Sequence, residues 1–160
     1  MTMNSDRIKQ YISQMPWWEL LLLGVLFKTC LSQILYLISP EGFNNLAINH
    51  SMFRVFVEAL VLAPIAETCI NQFLPIELNA ILKKKLPTVA IVIISAVIFG
   101  LSHTYSFIYA IYTFFIGLYL ATYYVIIRQR SSQPRNAFWT VTFCHFIFNL
   151  TTFCDQFFSI

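Results

Sequence analysis

The chemistry legible in this chain sits on one carboxylate, two imidazoles and one amide: Glu67, His103, His145 and Asn149. Glu67 stands in Ala63-Pro64-Ile65-Ala66-Glu67-Thr68, where Pro64 removes a helix hydrogen bond and opens backbone one turn before the carboxylate. That position predicts a freed carbonyl at Leu60. His145 and Asn149 are four residues apart and share one helix face, as do Phe99 and His103. A carboxylate, two imidazoles and an amide can activate a water and hold a developing negative charge, and the same groups would also serve a proton relay or a substrate pathway. All four residues lie in apolar surroundings. There an ionisable side chain costs at least ~2.5–3.5 kcal/mol, so each needs a partner or a task.

The elements that must position them are membrane helices. The 160 residues are 58% hydrophobic, 17% aromatic and only 11% charged, against roughly 25% charged for soluble domains. That composition excludes a soluble globule and a disordered chain, and it places the protein in a lipid bilayer. Apolar stretches predict spans over Trp17–Ile38, Met52–Leu74 and Ala137–Phe153. Between them, Leu86–Ile127 contains no Asp, Glu, Lys or Arg over 42 residues. As one helix it would run roughly 63 Å, twice a hydrocarbon thickness, so it folds as a hairpin turning at Ser102–Ser106.

The predicted fold is therefore all-α, a multi-pass transmembrane helical bundle of about five spans. Residues 1–16 form a cytoplasmic N-terminal segment, and residues 17–160 form the membrane domain. The net charge is +3, carried in three clusters: Arg7 and Lys9, Lys83–Lys85, and Arg128, Arg130 and Arg135. Five spans put all three on the cytoplasmic side. No basic face marks a nucleic-acid partner. Cys30, Cys69, Cys144 and Cys154 form no C-x-x-C pair and read as small buried apolar residues.

Glu67 and His103 each lie 18 residues from Lys85. A chain reversing near Lys85 returns both side chains to similar depth on adjacent helices. His145 is only 10 residues from Arg135 and is expected shallower, unless a kink at Pro75 or an interfacial stretch closes the gap. Taken singly, each residue has a structural explanation: Glu67 bonding a Lys or Gln, a His at an interface, Asn149 as helix–helix glue. Their joint occurrence on three spans points to a site. Arg54 and Glu58 form an i, i+4 pair, and Lys28 is expected within reach of Glu58. The aromatic-rich fourth span, with Tyr105 and Tyr109, reads mainly as packing and interfacial belt, with part of it a candidate lining for a substrate groove.

Three short patterns in order resemble the CPBP family of intramembrane proteases, which includes CAAX endopeptidases and bacteriocin-processing relatives. The family's E-E-x-x-x-R after a proline reads Pro64-Ile65-Ala66-Glu67-Thr68-Cys69-Ile70-Asn71-Gln72. Its F-x-x-x-H reads Phe99-Gly100-Leu101-Ser102-His103, and its H-x-x-x-N/D reads His145-Phe146-Ile147-Phe148-Asn149. The likeness covers roughly residues 52–153. The second Glu and the Arg of the first pattern are replaced by Thr68 and Gln72, which removes a charge pair together. Thr68 and Gln72, four apart, are expected to hydrogen-bond in its place.

The resemblance implies an endopeptidase acting on a peptide or protein substrate in the membrane. Glu67 would be the general base, His103 would hold the water, and His145 and Asn149 would bind the oxyanion. Thr68, Gln72, Phe99 and Pro64 would support them. No cofactor is expected, and the competing chemistry is a zinc ion on Glu67, His103 and His145. Against zinc, there is no H-E-x-x-H and no second carboxylate to act as base. Two further classes stay open: a catalytically inactive scaffold or immunity-type protein binding a peptide in the same cavity, and a proton-coupled transporter.

Overall fold

The computed structural model describes residues 11, 12, 14–41 and 51–158, so Arg7, Lys9 and most of the 1–16 segment lie outside the described residues. Among these described residues the bundle is built from five helices in order: α1 (Trp17–Ile38), α2 (residues 52–81), α3 (Thr88–Leu101), α4 (Phe107–Arg130) and α5 (Pro134–Phe158). Among the described residues there is no strand, and the architecture is the expected all-α bundle. Helices α1, α4 and α5 (the last over Pro134–Asp155) are long and apolar enough to cross a membrane. The 14 residues of α3 extend only about 21 Å, short of a full crossing.

The bundle is apolar outside as well as in. Leu26, Phe53 and Phe107 are 62%, 77% and 80% exposed, which a protein surrounded by water would not tolerate on this scale and acyl chains accommodate. Inside, Leu120, Tyr124, Ala137, Val141, Cys144 and Phe148 form the core between α4 and α5. The α3–α4 hairpin closes through glycine. A Cβ on Gly117 would lie 2.9 Å from the Phe99 Cβ and 3.1 Å from the Ala96 Cα, so the two backbones pack closer than any side chain permits.

Helix α2 is wound in alternating registers. Two π-helical stretches, Phe56–Leu62 and Thr68–Phe73, separate the α-helical pieces Met52–Val55, Ala63–Glu67 and Leu74–Ile81. Each π stretch runs up to a proline, Pro64 or Pro75. A proline inside a helix lacks an N–H and crowds the carbonyl four residues before it, and wider winding relieves the clash. Accordingly, Ala63 N–H donates to Glu58 O and Leu74 N–H to Cys69 O, both five residues back. Ser95 of α3 donates its hydroxyl to Asn71 O, the carbonyl that Pro75 leaves without its α-helical donor.

Helix α1 lies on α4 and α5. Tyr119 OH donates to Leu20 O, and Tyr123 OH to Trp17 O at 2.8 Å. This packing corrects the expected Lys28–Glu58 pair. Lys28, buried, donates from Nζ to Thr151 Oγ1 on α5 at 2.6 Å. Glu58 is held by Arg54 on its own helix at 2.8 Å.

Candidate active site

Glu67 is the last residue of the short α-helical piece between the two π stretches. π-Bulges within helices occur disproportionately at functional sites, and the two here flank the short α-helical piece that carries the carboxylate. The side chain is 26% exposed, so the carboxylate is sheltered without being sealed.

His103 lies just past the end of α3, where the last carbonyls of a helix lack partners. Its Nδ1 is 2.8 Å from Phe99 O, four residues back, and 3.1 Å from Ser102 Oγ. A carbonyl only accepts, so Nδ1 is the donor, and in the neutral ring Nε2 carries the lone pair. Phe99, 2% exposed, lies tilted against this imidazole with ring centroids 4.6 Å apart, and it meets His145 edge-on at 5.6 Å. The F-x-x-x-H spacing thus places one aromatic ring against both imidazoles. Tyr109 on α4 is 6.1 Å from the His103 ring, and Tyr105 packs on Tyr109 at 5.4 Å. These two tyrosines, read mainly as packing from the sequence, form an aromatic wall beside the site.

The three chemical groups meet on one oxygen. His103 Nε2 and His145 Nε2 each lie 3.5 Å from Glu67 Oε2. The reversal between Ile81 and Thr88 brings Glu67 and His103 together, as their equal distance from Lys85 anticipates. The expected depth mismatch of His145 does not arise. Helix α2 continues through Pro75 directly after a π stretch, and that winding fits more residues into less length, in the direction needed.

Asn149 follows His145 by one turn of α5, and its Nδ2 donates to Ala59 O at 2.8 Å. The carbonyl that takes an outside donor near Pro64 is therefore Ala59's, where α-helical counting expected Leu60's. A further expectation to be corrected is the Thr68–Gln72 hydrogen bond. Thr68 Oγ1 and both amide atoms of Gln72 are buried and have no hydrogen-bond partner among the described residues. Both residues belong to a π stretch, whose wider turn alters the angular relation of positions four apart. Thr142 Oγ1 and His145 Nδ1, one turn apart on α5, are buried in the same unpartnered state.

A zinc ion would draw on Glu67, His103 and His145. Among the described residues, no three His, Cys, Asp or Glu side chains are arranged to hold a metal ion. The other carboxylates of α2 are engaged elsewhere, Glu58 by Arg54 and Glu77 by Arg128.

Comparison with known proteins adds one finding. No curated protein and no solved structure matches the chain. Residues 48–151, which span the proline-broken helix, the α3–α4 hairpin and both motif residues of α5, match the family described as type II CAAX prenyl endopeptidase Rce1-like. With about two thirds of its length so matched, the chain belongs to that family of endopeptidases.

Proposed function

We propose that the protein is a membrane-embedded endopeptidase of the CAAX type that hydrolyses a peptide bond with a carboxylate-activated water and no metal. The observation that carries this reading is the convergence of two imidazole nitrogens on one carboxylate oxygen, each at 3.5 Å, inside an apolar bundle. Glu67 is the base. It takes a proton from a water held by the lone pair of His103 Nε2, and the hydroxide adds to the peptide carbonyl carbon. The resulting oxyanion receives hydrogen bonds from His145 and Asn149. Collapse breaks the C–N bond, and the amine leaves with the proton stored on Glu67.

The ring environments support this division of labour. The Phe99 carbonyl fixes the proton of His103 on Nδ1, which makes Nε2 an acceptor suited to a water O–H. His145 has no partner at Nδ1 among the described residues. A buried N–H without an acceptor is rarer than a buried lone pair, so its proton belongs on Nε2, the donor tautomer.

The test is cleavage. Purified protein in detergent is given a farnesylated CAAX peptide, and membrane peptides of cells carrying wild type or Glu67→Gln are compared by mass spectrometry. Loss of the base is expected to lower turnover by ~10²–10⁴-fold, with cleaved termini present only in wild type. Equal cleavage by both proteins removes Glu67 from the mechanism. If neither protein cleaves any peptide, the second reading prevails: a non-catalytic scaffold, favoured by the neutral Thr68 and Gln72 in place of the family's Glu and Arg.

A further inference from the structure

We infer that Pro64 is a positioning residue: by lacking an N–H it leaves the Ala59 carbonyl to Asn149, and so orients the amide that binds the oxyanion. The inference rests on the endopeptidase reading above and adds to it a residue that makes no contact with substrate.

The accounting of donors is complete around Ala59. In α-helical register its carbonyl would accept from Ala63, but Ala63 N–H is turned to Glu58 O. In π register it would accept from residue 64, which is proline and has no N–H. The carbonyl, facing the bundle interior, takes Asn149 Nδ2 from α5 at 2.8 Å instead. Ala59 is half-buried, and an acceptor sheltered in that way and left empty costs more than a bond made to a neighbour, so the contact is specified. It also fixes which way round the amide stands. The nitrogen is held toward α2 with one hydrogen engaged, and the second is the one that would donate to the oxyanion. Asn149 shares its helix face with His145, whose Nε2 is 3.5 Å from Glu67. The same device recurs eleven residues on, where Pro75 lacks an N–H and Ser95 donates to Asn71 O.

Replacing Pro64 by alanine restores the missing donor. If the π register persists, residue 64 donates to Ala59 O; if the stretch reverts to α, Ala63 does. Either way Asn149 loses its anchor. Alanine also favours a helix interior where proline does not, so Pro64→Ala is expected to unfold at the same temperature as wild type or higher. A protein that is no less stable yet slower separates positioning from mere structural support.

The experiment compares wild type, Pro64→Ala, Asn149→Ala and the double variant, all full length in detergent, with a farnesylated CAAX peptide as probe. Asn149→Ala is expected to lower kcat by about 10²–10³-fold. Pro64→Ala is expected to lower it by about tenfold or more with KM within about twofold, and the double variant to be no slower than Asn149→Ala. Wild-type kcat in Pro64→Ala, or losses that multiply, overturns the inference. Thermal unfolding of the same four proteins reads the linkage without cleavage. Asn149→Ala should lower the midpoint when Pro64 is present, and lower it less when combined with Pro64→Ala. Equal losses in both backgrounds overturn the inference. If the coupling is present while no protein cuts the peptide, the linkage stands and the endopeptidase reading falls.

Discussion

At the scale of single residues, the site turns on how many carboxylates it holds. Glu67 offers its Oε2 to both imidazoles, and Glu58 is engaged by Arg54 at 2.8 Å. A metal bound by Glu67, His103 and His145 would occupy the carboxylate that has to act as base, and hydrolysis would then lack a proton acceptor. Cleavage is therefore expected to survive exhaustive chelation unchanged. Reversible loss, restored by zinc and by no other addition, would overturn the metal-free mechanism. Much at this scale was legible beforehand, since equal distances from Lys85 place Glu67 and His103 at one depth. Partners that depend on helix register were not. The Ala59 carbonyl bonded by Asn149, the missing hydrogen bond between Thr68 and Gln72 and the choice of Thr151 by Lys28 follow from winding and helix order, neither of which side-chain spacing records.

At the scale of elements, His103 depends on the α3–α4 contact. Its ring rests on Phe99, and Phe99 in turn lies against Gly117, where a Cβ would come to 2.9 Å from the Phe99 Cβ. A leucine there has no room. Its helix-propensity gain over glycine, up to ~1 kcal/mol, is smaller than the penalty for overpacking a tight contact. Gly117→Leu is expected to destabilise the protein by about 1–3 kcal/mol in detergent unfolding and to reduce cleavage by displacing Phe99 from both imidazoles. Unchanged stability together with unchanged activity would show that the hairpin does not hold the site. The hairpin itself was legible, because a charge-free stretch twice a membrane thickness has to turn at its polar patch. The π stretches of α2 were not. Proline signals a disturbed helix, but whether the chain kinks, breaks or widens is decided by the neighbours that supply donors, here Asn149 and Ser95.

At the scale of the molecule, the two basic clusters among the described residues, Lys83–Lys85 and Arg128–Arg135, gather at one end. Arg130 donates to the carbonyls of Met15 and Ile12 at 2.6 and 2.7 Å, which ties the end of α4 to the entry of α1. Arg128 pairs with Glu77 near the end of α2 at 2.9 Å, and Tyr124 OH joins the same carboxylate at 3.0 Å. Glu77 gave no sign of this role in the sequence. Beside it, Asn79 clasps Leu86 across Lys83–Lys85 by two hydrogen bonds of 2.8 and 3.2 Å. The turns carrying Lys83–Lys85 and Arg128–Arg135 thus share one end, and the α3–α4 turn that begins at Ser102 occupies the other. Positive charge is retained on the cytoplasmic side of a membrane, so the lysine-bearing end should face the cytoplasm. Single cysteines at Lys84, Ser132 and Tyr105, all exposed, read this out once Cys30, Cys69, Cys144 and Cys154 are replaced by alanine. An impermeant maleimide applied to intact cells should label position 105 alone, and inverted vesicles should label 84 and 132. Labelling of 84 and 132 from outside would reverse the orientation and carry the His103 end to the cytoplasm. Labelling of 84 and 132 from opposite sides would break the shared end itself, and with it the alignment that brings Glu67 and His145 to one depth.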